Sequence, residues 1–266
     1  MCSSTLIASS LIKNKLYILM KIIAVINHKG GTGKTTSTLN IGAGLARIKK
    51  KTLLVDIDPQ SNLTEGLGLR DVKVSIYDSI KDDTALPIES VSEYLDIVPS
   101  SLDLLGAEIE LVSRLGRETI LKRLLKSVQG KYDYVLIDCA PALGMLTVNA
   151  LVAADTVMIP LEAEYFAYRG IDRLVSIISD VRTHYNEDLT IGGVFITKIN
   201  PRRVITEQIT ASIKKYFNDK LFDTSIRINV SLVEAQLKGV DVFEYAPLSN
   251  GAVDYSDLVD EILVKL

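Results

Sequence analysis

The chain has 266 residues, 47% hydrophobic and 24% charged, with a formal net charge of -3. That is enough apolar material for one substantial α/β core near the upper size of a single domain. Two cysteines, Cys2 and Cys139, exclude a disulfide framework or a cysteine metal cluster and fit a reducing cytosol, and no apolar run reaches the roughly 18 residues of a membrane span.

Residues 1–20 are loosely apolar, but their lysines follow the first apolar run and no small-residue cleavage site appears. The segment is read as an N-terminal tail, with a physical start at Met20 and a single domain over 21–266. Short β-branched runs then alternate with segments of helical period: KIIAVIN, TLLVDID, LDIVPS, YDYVLID, TVMIPLE, IGGVFITKI and the less apolar FDTSIRI. Such alternation marks a parallel sheet wrapped by helices, and near-continuous apolar runs suit strands covered on both faces. The predicted class is α/β, a doubly wound, mostly parallel sheet with helices on both faces. Ile171, Leu174, Val175, Ile178 and Val181 recur at helical spacing, as do Ile205, Ile209, Ile213 and Tyr216. Both stripes are expected to face the core.

Between the first strand and a helix starting near Lys34 lies NHKGGTGKTT. A phosphate loop reads glycine, four residues, then Gly-Lys-Thr or Gly-Lys-Ser. Counting back from Gly33-Lys34-Thr35 puts His28 at the first glycine position, with Lys29, a second cation, beside it. Gly30, Gly31 and Gly33 let successive backbone N–H groups face a phosphate at a helix N-terminus. Lys34 is expected to reach the β- and γ-phosphates and the Thr35 hydroxyl to ligate Mg²⁺; Thr32 and Thr36 complete the loop. Asp56 and Asp58 share a face at the carboxyl end of the second strand, where open α/β sheets bind ligands. The apolar run YDYVLID ends in Asp138.

The stretch KGGTGKTT resembles the deviant Walker A loop of the ParA/MinD superfamily of ATPases, in which a lysine at the place of Lys29 is the signature residue. DIDPQ, DCAPALG and IPLEAEYFAYRGIDRL resemble its further motifs, in order, so the resemblance spans Lys21 to Leu266. It implies a P-loop NTPase fold, ATP and Mg²⁺ as ligands, and a homodimer that sandwiches two nucleotides. Lys29 would then reach across to the partner's phosphates, the task of an arginine finger elsewhere, with Lys34 acting in its own subunit. By the same resemblance Asp58 orients or activates the attacking water, Asp56 supports the Mg²⁺ environment, and Asp138 holds the magnesium's water shell. Ala140 stands where the superfamily usually has proline, and Pro141 keeps the rigid turn. Glu164, in the third motif, is expected to serve packing or coupling at the dimer interface.

Within the superfamily, a MinD-like protein would end in a basic amphipathic helix. Here Val240 to Leu266 carries six acids against one lysine, which an anionic bilayer repels. An iron protein needs thiolates, and Cys139 has no companion. No long operator-binding segment precedes the loop. The chain resembles the compact, Soj-like form of ParA, a cytoplasmic, nucleoid-associated ATP switch for chromosome or plasmid partition. In that group the ATP dimer binds DNA without sequence preference and a ParB-like partner stimulates hydrolysis. Lys198 to Lys238 carries eight Lys/Arg against four acids, and Arg202, Arg203, Lys214 and Lys215 are the expected DNA contacts. Asn229 is the expected adenine contact. Arg227 sits one residue from the group's arginine position, which in a strand turns it to the opposite face. Two other readings use the same motifs, a positioner of membrane or protein cargo and a ligase-like enzyme that activates a carboxylate; Lys29 and DIDPQ favour the switch.

Overall fold

A computed structural model describes the backbone of residues 20–162, 171–200 and 204–266, with side chains except those of 204–208. The strands are β1 (Lys21–Val25), β2 (Thr52–Asp56), β3 (Glu89–Ser92), β4 (Leu95–Val98), β5 (Tyr134–Asp138), β6 (Thr156–Glu162), β7 (Thr190–Ile199) and β8 (Leu221–Arg227). They form one sheet in the order β3-β4-β2-β5-β1-β6-β7-β8. Every neighbouring pair is parallel except β3 and β4. The helices are α1 (Lys34–Arg47), α2 (Asn62–Gly66), α3 (Ile76–Asp82), α4 (Leu104–Glu110), α5 (Ile120–Leu125), α6 (Met145–Ala153), α7 (Ile171–His184), α8 (Val204–Phe217), α9 (Val230–Lys238), α10 (Val242–Tyr245) and α11 (Asn250–Lys265).

Two apolar clusters cover the two faces of the sheet. One joins β-strand side chains such as Val55, Val135 and Val157 to helices α3 to α8. The other joins Leu54, Leu136 and Met158 to α1, α2 and α9 to α11, where Tyr255, Leu258 and Ile262 are buried. Successive residues of one strand thus enter opposite cores, which is why TLLVD is buried from end to end. Each fully buried Leu or Ile contributes about 1.5–3 kcal/mol, so the apolar face of α11 is committed to the fold. Among the described residues no helix is long and apolar enough to cross a membrane.

The strand missed by sequence reasoning is β3. Its four residues are all exposed, it runs antiparallel to β4, and its register slips between Ser90 and Ser92. At the other edge, the acids of the C-terminal segment have a structural task. Glu261 accepts the N–H groups of Asp223 and Thr224 at 2.9 and 3.0 Å, and Asp254 accepts that of Arg227 at 2.8 Å. Helix α7 buries Ile171, Leu174, Ile178 and Val181 and half-buries Val175. In α8, Ile209 and Ile213 are buried, but Tyr216 is 48% exposed and Phe217 takes the core position. The step from Ile213 is four residues instead of three, and the Tyr216 hydroxyl donates to Asp172 at 2.8 Å. Ile205 has its side chain outside the described set, and the tail 1–19 lies outside it altogether.

Because the strands are parallel, their carboxyl ends gather on one rim. The crossover from β1 leads through α1 to β2, while β6 and β7 lie on its other side, so β1 is where the winding direction changes, the usual ligand position in such sheets.

Candidate functional site

The loop from Ile26 to Gly33 stands on that rim and is tied down by its neighbours. Asn27 donates from Nδ2 to the Pro160 carbonyl of β6 at 2.7 Å and accepts the Lys29 N–H at 3.0 Å. Thr197 of β7 donates to the Thr32 carbonyl at 2.8 Å. Gly31 and Gly33 adopt φ of +77° and +85°, the left-handed region where a side chain is strained. Gly33 is the N-cap of α1, and no side chain caps that helix end or places an acid in its first turn. The first N–H groups of a helix have no partner within it, and with the helix dipole they attract anions. A Cβ on Gly30 would meet nothing within 4 Å, and the loop opens on a cleft of about 840 Å³ that Thr35, Asp58, Arg70, Lys198 and Gln236 also line.

The charges are arranged in depth. Asp56 and Asp138 are register partners at the ends of β2 and β5, and both are fully buried. Asp56 is saturated with donors: Thr64 N–H at 2.9 Å, Thr64 hydroxyl at 2.7 Å and Asp58 N–H at 3.1 Å. Burial still pushes its carboxyl up to about 6. Asp138 accepts from Thr38 at 3.3 Å on Oδ1 and from the Thr35 hydroxyl, while its Oδ2 has no partner among the described residues. Burial, reinforced by the Asp56 charge, raises Asp138 well above the usual carboxylate range. Lys34, only 6% exposed, is lowered by burial and held up by Asp138, Cys139 and Asp58; its ammonium rests on the Lys29 carbonyl at 3.4 Å.

An orphaned, buried carboxylate oxygen beside a hydroxyl that opens on the cleft fits a hard divalent cation. Mg²⁺ keeps several waters and is held by one or two carboxylates plus phosphates, so it does not need the cluster of three acidic, His or Cys ligands that the described residues lack. Thr35 and Asp138 are the groups able to hold it. Asp56, with its oxygens committed to Thr64 and Asp58, is placed to orient the segment after β2. Asp58 lines the cleft, its Oδ1 accepting the Gln60 N–H at 2.9 Å and its carbonyl accepting the Ser100 hydroxyl at 2.8 Å. His28 is kept from adding a charge, because burial, then Arg173, Lys34 and Lys29, lower its pKa.

Lys29 is turned toward its own chain. Its ammonium lies 3.4 Å from Glu162 Oε2, and Lys198 Nζ lies 3.9 Å from Oε1 of the same carboxylate. Sequence reasoning singled out Glu164, which lies outside the described residues, and missed Glu162 and Lys198. Gln236, which accepts the Thr36 hydroxyl at 3.2 Å, was also missed. Asn229 is the N-cap of α9, its Oδ1 accepting the Ser231 N–H at 2.8 Å, and Val233, Gln236 and Leu237 of the same helix line the cleft. Arg227 is bound to Asp254, with Nη2 at 2.5 Å from Oδ1 and Nε at 3.0 Å from both oxygens. Lys214 and Lys215 are exposed in the last turn of α8, well away in sequence from the loop, and Arg202 and Arg203 lie outside the described residues.

A parallel sheet with a glycine-rich loop at its switch point, a lysine and threonine opening the next helix and a buried aspartate on the adjacent strand define the P-loop NTPase fold. The family model described as AAA domain matches residues 20–191. The chain is 47% identical over 248 residues to the sporulation initiation inhibitor protein Soj of Bacillus subtilis (strain 168), covering 91% of this chain and 98% of that protein. It is 42% identical over 250 residues to the chromosome-partitioning ATPase Soj of Treponema pallidum (strain Nichols), covering 92% and 98%. Among solved structures, cobyrinic acid a,c-diamide synthase from Mycobacterium smegmatis, with bound ATP analogue and magnesium, matches with a TM-score of 0.82 at 33% identity, over 92% of this chain and 95% of that one. The chain belongs to the Soj/ParA family within the ParA/MinD superfamily.

Proposed function

We propose that the chain is an ATP- and Mg²⁺-dependent partition switch that dimerises on ATP, binds DNA without sequence preference as the dimer, and hydrolyses ATP when a ParB-like partner stimulates it. The observation that carries the nucleotide reading is the uncapped start of α1, with the Lys34 ammonium on the loop carbonyl of Lys29 and the unpartnered Asp138 oxygen one strand away. The α1 N–H groups and Lys34 bind and neutralise the phosphates; Asp58 positions water for in-line attack on the γ-phosphorus; Lys29 of the opposing subunit offsets the charge that develops. When bound, Mg²⁺ would supply neutralisation of phosphate charge, and Thr35 and Asp138 would hold it. Exposed Val233 and Leu237 on α9 line the cleft and, with exposed Val230 on the same helix, support association of two cleft faces. The partition role rests on the Soj relatives.

The test uses wild type and Asp58→Ala, sized by chromatography with ATP or ADP and assayed for turnover. Wild type is expected to hydrolyse ATP slowly and only with Mg²⁺. The variant should lose about a hundredfold or more in turnover, the worth of a positioned base, and accumulate as a dimer that binds DNA at low salt with ATP and not with ADP. A trapped dimer that ignores DNA transfers the reading to a positioner of membrane or protein cargo. Turnover seen only with a carboxylate acceptor and an ammonia source transfers it to amide formation.

A further inference from the structure

Glu162 ends β6 and faces two ammonium groups at once, Lys29 at 3.4 Å and Lys198 at 3.9 Å, with its own side chain 21% exposed. Lys198 reaches that place through an unusual backbone, a φ of +53° in a residue other than glycine, which costs strain that the surroundings must hold. They do: Thr197 beside it donates to the phosphate loop at Thr32, pairs in register with Glu162, and the Ile199 carbonyl accepts the Ile228 N–H at 3.1 Å. The result sets Lys198 Nζ 3.9 Å from where a Cβ on Gly31 would lie, over the loop that also carries Lys29. Two cations repel each other while sharing one anion, so whatever strengthens one pairing weakens the other.

We propose that Glu162 and Lys198 are positioning residues for Lys29. Glu162 retains the Lys29 ammonium on its own chain, and Lys198 loosens that hold by competing for the same carboxylate. Together they set how readily Lys29 is released toward a second subunit's phosphates. This deepens the functional reading above and rests on Lys29 acting across the dimer.

The first measurement is the rate at which an amine-acylating reagent modifies Lys29 in the nucleotide-free protein, read by peptide mass spectrometry and normalised to exposed Lys49. Glu162→Gln should speed Lys29 modification by about two- to fivefold, the range of a partly exposed ion pair. Lys198→Met should slow it, and Lys198→Arg should restore the wild-type rate. The second measurement is the ATP concentration giving half-maximal dimer divided by the same variant's monomer ATP dissociation constant, a ratio that Glu162→Gln should lower and Lys198→Met should raise. The double variant should lie closer to Glu162→Gln than to Lys198→Met, because without the carboxylate only the repulsion between the two lysines is left to lose. An unchanged Lys29 rate in Glu162→Gln, or shifts of the same sign in both single variants, overturns the proposal. If wild type forms no ATP dimer, the functional reading fails on its own, and the modification rates still decide whether Glu162 and Lys198 hold Lys29.

Discussion

At the scale of single residues, the buried charges are the costly part of the site. Asp138 is desolvated, lies beside Asp56 and has one oxygen without a donor, so its ionised form is disfavoured in the ligand-free protein. A carboxyl whose folded pKa is raised contributes stability that is present at low pH and lost as pH rises through that folded value. Asp138→Asn removes the charge and keeps the acceptor for Thr35 and Thr38. The variant is therefore expected to melt higher than wild type at pH 7.5 without Mg²⁺ or nucleotide, because the buried charge that Asp138 would have to carry is gone. The gain should shrink at pH 5; a larger gain at pH 5 would reject burial as the cause. Lys34→Ala should weaken ATP binding by about 10- to 100-fold, since a charge-assisted hydrogen bond is worth about 1.5–3 kcal/mol. Titration of a fluorescent ATP analogue checks it.

At the scale of elements, the last strand and last helix are joined by Arg227 and Asp254, the latter 5% exposed. Arg227→Ala leaves Asp254 without its cation, and removing one partner of a buried pair costs about 3–5 kcal/mol. Arg227 is partly exposed, so about 1–3 kcal/mol is expected, seen as a melting temperature lower by about 5 °C with ATP affinity retained. An unchanged melt would count against the tie. This arginine also shows what a sequence can carry. Its displacement by one residue was legible as a turn to the opposite face; its partner, Asp254, was not, because pairing across 27 residues leaves no local signal. The phosphate loop, the seven apolar strands and the aspartates at strand ends were legible because each joins a periodic or glycine pattern to a residue of distinct chemistry. Strand β3 was not, since ESVS has no apolar face to bury. Glu162 was hidden as the last letter of an apolar strand, and Lys198 by a left-handed backbone that lysine does not advertise.

At the scale of the whole molecule, the parallel sheet delivers its functional groups to one rim, and α8 carries exposed Lys214 and Lys215 elsewhere. If the ATP dimer is the DNA-binding form, each cation is presented twice on one body. Arg202→Ala should then lower the log–log salt slope of DNA binding by about 2, from about 0.9 per phosphate contact on duplex DNA, with Lys214 and Lys215 changing it less. Fluorescence anisotropy at several salt concentrations with ATP reads this directly, and a slope equal to wild type would remove Arg202 from the interface. The two edges of the sheet bear on the same assembly. On one, β3 is short, polar and out of register; on the other, three N–H groups of β8 already donate to Glu261 and Asp254. Neither edge invites a neighbouring chain to zip on as a further strand. Copies brought together by the proposed switch would therefore meet through side chains and charges instead of added strands, so such clustering would stay reversible where cross-chain β-pairing would lock it.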